Sequence, residues 1–164
     1  MQTITIASEK DRRYTASADG KPFATVHYPK WYSQDAEIEL GGNSYFIKGK
    51  GFWKTSSEVL LDGRVLYEIK NTWRGTIISR AKELHHFYKL KPKAWFKSGY
   101  ILETYKGGEV MEIKAEYSWK SFYTGYTITL NDKISGEDGL LLALLALHCY
   151  RATQKQNAAI GGAT

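Results

Sequence analysis

Residues 139–147 read Gly-Leu-Leu-Leu-Ala-Leu-Leu-Ala-Leu, and this short run restricts the fold more than any other part of the chain. After the glycine every residue is a strong helix former, so a helix is predicted. Wound at about 100° per residue, six leucines and two alanines leave no polar face. Such a helix must be encircled by protein or immersed in lipid. Nine residues rise only about 14 Å, less than half of a hydrocarbon core of about 30 Å, and His148 and Arg151 interrupt any extension. Encirclement by protein is therefore expected. Burying Leu140, Leu141, Leu142, Leu144, Leu145 and Leu147 is worth at most about 9–18 kcal/mol, comparable with the whole net stability of a small domain. The helix is expected over about 137–154, with Ser135 and Asp138 as a capping-box variant. Glu137 and Asp138 suit the positive end of its dipole, and Arg151 and Lys155 the negative end. The small residues of 157–164 are expected to form a flexible tail.

What could encircle the helix is written in period two. Met111, Ile113, Ala115 and Tyr117 alternate with Glu112, Lys114 and Glu116, the signature of a half-buried strand. The same alternation appears at Ile38 and Leu40, at Val65, Tyr67 and Ile69, and at Tyr126, Ile128 and Leu130. Further strands are expected near 2–7, 12–16, 23–28, 44–48, 76–80, 84–90 and 100–105. Asp19-Gly20, Gly41-Gly42, Asp62-Gly63 and Gly107-Gly108 stand between these runs, where hairpin turns need positive φ. About ten to twelve short strands without intervening helices exclude alternating βαβ units. The fold class expected is mainly β: a closed antiparallel barrel of about twelve strands enclosing a hydrophobic C-terminal helix, as one domain over 1–156.

Composition narrows the function classes. Twenty-three basic and 17 acidic residues give a formal charge of +6, spread along the chain without a basic tail, which would assist contact with phosphates or anionic lipid. Cys149 is the single cysteine, so no internal disulfide forms, and no Cys/His cluster offers a structural zinc site. No basic segment followed by an apolar one opens the chain. A reduced, cytoplasmic setting is expected, with peripheral attachment to a membrane as an option.

The hairpin Asp62-Gly-Arg-Val-Leu-Tyr-Glu-Ile-Lys70 among short antiparallel strands, closed by Leu140-Leu-Leu-Ala-Leu-Leu-Ala-Leu-His-Cys-Tyr-Arg151, resembles the Tubby C-terminal-like superfamily, with its LURP-one-related and phospholipid scramblase-like proteins. The resemblance is architectural and covers nearly the whole chain. It implies a barrel of about twelve strands around a central C-terminal helix and, often, binding of phosphoinositides or membranes. It assigns no binding residue here. Scramblase-like members carry an acidic segment before the helix that has been considered for calcium. The counterpart here has Asp132, Glu137 and Asp138 but lacks the Asp-x-[Asp/Asn]-x-[Asp/Asn]-Gly rhythm, so no metal is expected.

Residues 82–97 hold the strongest candidate surface, five lysines against one glutamate with Tyr88, Trp95 and Phe96 interleaved. Lys89, Lys91, Lys93 and Lys97 with Trp95 are the candidate contacts for an anionic headgroup. The same alternation also fits a strand that keeps a charged face against mispairing. Lys48, Lys50, Lys54, Arg74 and Arg80 would join them if adjacent strands aligned. The expected partner is an anionic lipid surface or a protein; nucleic acid is disfavoured. No catalytic residue and no cofactor is assigned. His85 and His86 are neighbours on a strand and face opposite ways, with His86 expected inward; His27 and His148 stand alone. Cys149 reads as a buried small hydrophobe. Neither a phosphate-binding Gly-rich loop nor a Gly-x-Ser-x-Gly elbow occurs. Gly51-Phe52-Trp53 matches the short Gly-x-Trp pattern of lipocalins, and the alternative function is a lipocalin-like barrel holding a small apolar ligand inside.

Overall fold

In the computed structural model the described residues are 1–51, 55–94, 97–117, 124–132, 134 and 136–162, with the side chains of 84, 97–98, 117, 124, 137 and 156–162 outside that set. Among them twelve strands precede one α-helix: β1 (Gln2–Glu9), β2 (Arg13–Ala18), β3 (Lys21–His27), β4 (Ala36–Leu40), β5 (Asn43–Lys50), β6 (Ser56–Leu61), β7 (Arg64–Thr72), β8 (Gly75–Arg80), β9 (Glu83–Ala94), β10 (Lys97–Thr104), β11 (Glu109–Tyr117), β12 (Thr124–Leu130) and α1 (Gly136–Gly162). A single 3-10 turn, Lys10–Arg12, joins the first two strands. The helix is longer than the 137–154 expected.

Each strand pairs antiparallel with its chain neighbour, and β1 pairs β12 from Gln2↔Leu130 to Ile6↔Tyr126, which closes the barrel. Closure removes the sheet edges that twelve strands would otherwise leave open to other chains. The turns obey local chemistry. Asp19-Gly20, Gly41-Gly42 and Asp62-Gly63 have φ of 51° and 75°, 60° and 78°, and 51° and 77°. Positive φ at both central residues is the type I′ geometry whose twist matches the flanking strands.

Strict alternation of direction gives the barrel two distinct rims. The first carries the connections β1–β2, β3–β4, β5–β6, β7–β8, β9–β10 and β11–β12. The second carries those between even and following odd strands, and α1 starts there because β12 ends there.

Inward positions of the strands and the helix form one core. Ile4, Ile38, Val59, Ile78, Leu102, Ile113 and Ile128 are wholly buried together with Ala143, Leu144, Leu145 and Ala146. Every residue from Leu141 to Tyr150 is buried, while Leu140 is only partly so. Ten consecutive residues turn through nearly three helical turns, so no side of this segment meets water. Tyr150 packs on Tyr100 of β10 and Tyr126 of β12, and Arg151 on Tyr14 of β2 and on Tyr28 just beyond β3. Those partners lie on one half of the ring, from β10 through β12 to β3, and the other sides of the segment are buried as well.

One strand escapes the alternation argument. β6 reads Ser-Ser-Glu-Val-Leu-Leu, and a register shift between Val59 and Leu60 against β7 breaks its period. With two leucines side by side and only Val59 buried, its pattern carries no clear face.

Candidate functional site

The lysines of β9 stand on the outer wall, but the register brings acids to them. Leu102↔Leu90 and Ile113↔Tyr100 set β9, β10 and β11 side by side. Lys91 Nζ thereby reaches Glu103 Oε1 at 3.0 Å, and Lys93 Nζ donates to Glu112 Oε2 at 2.8 Å. Lys114 approaches the other oxygen of Glu112 at 3.2 Å. The hydrogen bond from Lys93 holds the Glu112 carboxyl below the usual carboxylate range. Two of the three alternating lysines therefore spend their charge on neighbours. Lys89 shows no ion pair among the described residues. Trp95 lies outside those residues, as does the side chain of Lys97.

The wider basic patch does not assemble on one face. Lys50 is paired with Glu58. Arg80 ends β8 at the second rim, 3.8 Å from Asp138 and beside Tyr67. Arg74 belongs to the first rim, and Lys54 lies outside the described residues.

The first rim is chemically different. The β3–β4 connection holds Trp31 and Tyr32 in water at 75% and 66% exposure, and the β7–β8 turn holds Trp73 at 88%. Tyr32 and Trp73 each have a cation beside the ring: Lys30 Nζ is 5.9 Å from the Tyr32 ring centre, and the Arg74 guanidinium is 4.5 Å from that of Trp73. The long connection is braced at both ends. Arg12 Nε donates to the Tyr28 carbonyl at 2.9 Å and its other arm to that of Pro29 at 3.0 Å. On the return side Asp35 Oδ1 accepts from the Gly49 amide at 2.9 Å, and Ser33 Oγ from the Asp35 amide at 3.1 Å. The short turn is fixed by Gly75, at φ 137°, where a Cβ would meet the Leu90 carbonyl oxygen at 2.6 Å. A depression of about 290 Å³ opens beside it, lined in part by Trp73, Pro92, Tyr100 and Thr153.

Below this rim lies a buried polar cluster. Tyr28 Oη and His148 Nδ1 are 2.8 Å apart with their rings stacked, and the Arg151 guanidinium lies 4.3 Å and 4.4 Å from the rings of Tyr14 and Tyr28. Burial pushes His148 down to about 4, with the Arg151 charge adding to it and Asp35 opposing. Burial likewise raises Tyr28, which stays protonated and shares a hydrogen bond with Nδ1. Tyr28 and His148 are buried and Tyr14 and Arg151 partly so, and the arrangement fixes the helix against β2 and β3.

Cys149 is sealed in beside this cluster, its thiol pushed up to about 12 by burial. A thiolate is the reactive form. The native protein is therefore expected to resist a maleimide, with labelling at the rate of unfolding. Labelling in native buffer as fast as for free cysteine would contradict this placement.

A solved X-ray structure of a protein from Arabidopsis thaliana superposes with a TM-score of 0.54 at 14% identity, covering 89% of each chain. At that identity the likeness is one of fold. No family profile and no curated protein sequence matches the chain.

Several expectations change against this barrel. His86 is not inward: its side chain is 60% exposed, 3.7 Å from Glu83 and edge-on to Tyr105. The cause is an irregularity in which Arg80 pairs Glu83 but Ser79 pairs Phe87, so residues 84–86 bulge out of the β8 register. His148 does not stand alone, because Tyr28 meets it across the core. Of the acidic segment, Asp132 lies against the Met1 amine and Asp138 faces Arg80. Among the described residues no three His, Cys, Asp or Glu side chains gather as metal ligands. No described helix is long and apolar enough to cross a membrane.

Proposed function

We propose that this chain is a non-catalytic barrel of the Tubby C-terminal-like superfamily, of the LURP-one-related or scramblase-like kind, that binds anionic phospholipid headgroups as a peripheral protein on the cytoplasmic side of a membrane. The fold likeness and the apolar helix inside twelve strands support the kinship. One observation carries the function: Trp73, almost fully in water, has the Arg74 guanidinium stacked over it. A large indole left in solvent is unfavourable unless something covers it, and an indole beside a cation is suited to the headgroup layer, where the ring is half-desolvated and the charge meets phosphate. An interior ligand has less support, because the leucines of α1 are packed into the core with the inward strand residues.

Co-sedimentation tests the reading with vesicles of phosphatidylcholine alone and with about one-third phosphatidylglycerol or phosphatidylserine. Binding is expected only with the anionic lipid, and about tenfold weaker when salt rises from about 0.1 M to about 0.5 M, where the Debye length has shrunk by half. If the protein stays in the supernatant with anionic vesicles at low salt, the proposal falls.

A further inference from the structure

The twelve connections of the barrel divide unequally between its rims. The chain has five tryptophans, and Trp31, Trp53, Trp73, Trp95 and Trp119 occur one each in the segments joining β3–β4, β5–β6, β7–β8, β9–β10 and β11–β12. The strands that flank each of those segments meet it at the first rim. In sequence the first-rim connections carry six basic and two acidic residues, against three of each in the segments of the second rim, which contain no tryptophan. The described part of this pattern has a definite geometry. Trp31 and Trp73 sit on connections four strands apart in a ring of twelve, one-third of the way round, so they stand well separated on the same end of the barrel.

The side wall offers no comparable surface. Outward positions on β1 and β11 include Thr3, Thr5, Lys114 and Glu116, all exposed, and Lys91 and Lys93 are neutralised by Glu103 and Glu112. A bilayer meeting that wall at β9–β11 would find mostly paired charge, and the exposed aromatic of the wall, Phe46 of β5 at 39%, is far less open than Trp31 or Trp73. At the rim, a loop tied down by Arg12 and Asp35 holds an apolar tip outward. Such bracing lets the tip stay presented instead of folding back on the core. The geometry points to end-on docking: the first rim, through Trp31, Tyr32 and Trp73 with Lys30 and Arg74, seats the barrel axis upright on an anionic phospholipid surface. This rests on the lipid-binding reading above and assigns it a face.

The full chain is tested on the same anionic vesicles, with Trp31→Ala/Trp73→Ala and Lys30→Glu/Arg74→Glu as rim variants and Lys89→Ala/Lys91→Ala/Lys93→Ala as the wall variant. These side chains lie outside the core, and circular dichroism verifies that each variant folds. Both rim variants are expected to weaken partitioning about tenfold or more, and the wall variant less than about twofold. Lipids brominated on their acyl chains are expected to quench the wild-type tryptophan emission, and to quench a smaller fraction of it in Trp31→Ala/Trp73→Ala. If the wall variant loses binding while the rim variants keep it, end-on docking is overturned and lipid binding survives. Vesicle binding without quenching overturns the seating of the indoles. If wild type binds no anionic vesicle, the lipid reading fails and this inference fails with it.

Discussion

Leu144→Ala is expected to destabilise the barrel by about 2–5 kcal/mol, the usual range for deleting a fully buried leucine, and to lower Tm by about 10 °C. Leu144 and Leu145 have no exposed surface, and Leu141 and Leu142 have almost none, yet the four side chains leave the helix in different directions. A helix lying on one face of a sheet would have a cheap side among four such neighbours. A helix ringed by strands would not, so Leu141→Ala, Leu142→Ala, Leu144→Ala and Leu145→Ala should each fall in the same range. Leu140→Ala, at the half-buried mouth of the second rim, should cost less than half as much. Leu144→Asp should not fold, because an unpaired carboxylate would be left in the centre of the core. Urea titration of the five alanine variants measures the whole set. One member of the central four costing under about 0.5 kcal/mol would contradict encirclement.

The helix was legible because an all-apolar wheel admits few environments, and the strands because half-buried pleats alternate. Dipeptides such as Asp62-Gly63 announced the reversals, and positive φ at both residues follows from the type of hairpin they make. Legibility failed where a residue's fate depended on its partner strand. Nothing in the spelling of Lys91 or Lys93 says that Glu103 and Glu112 stand beside them; only the register of β9, β10 and β11 does. His86 obeyed the alternation of its own strand and was still misdirected, because the bulge at 84–86 is created by pairing with β8. β6 was missed where a bulge erased its period. The rim is the clearest case. Trp31 and Trp73 are 42 residues apart in the chain, and they share a surface only because every odd strand ends at the same side. Strand order would have made that visible from the sequence.

Acidification should weaken the fold in a window set by His148. Its folded value is held near 4 by burial and by the neighbouring Arg151 charge, well below the ordinary value of 6.5, so between those limits the unfolded chain binds a proton that the native core refuses. When the unfolded state binds more protons, stability falls as pH falls. The contribution is fully present above pH 6.5 and drains away towards pH 4, for a loss of about 3 kcal/mol at about 1.4 kcal/mol per pH unit. Glu112 works in the same direction but in a lower window: its carboxyl is held below its usual range by Lys93, so its support is lost only once the pH drops beneath that of an ordinary glutamate. Urea midpoints at pH 7, 6 and 5 therefore isolate the histidine. His148→Gln keeps a hydrogen-bonding partner for the Tyr28 hydroxyl and removes the titration, so its midpoint should barely move over the same interval, whatever its absolute stability. A wild-type midpoint constant from pH 7 to 5, or a His148→Gln midpoint that falls in parallel with wild type, would remove His148 as the source. The stacked Tyr28 ring and the Arg151 cation above it leave an imidazolium no anionic partner within hydrogen-bonding reach except through movement of Asp35, which is committed to the Gly49 amide. Protonation thus strikes at the contact that joins the helix to the braced β3–β4 connection, and that loop should loosen before the leucine core does. Faster hydrogen exchange at 28–35 than at 141–147, growing as pH is lowered from 7 to 5 after correction for intrinsic rates, is the expected local trace of it.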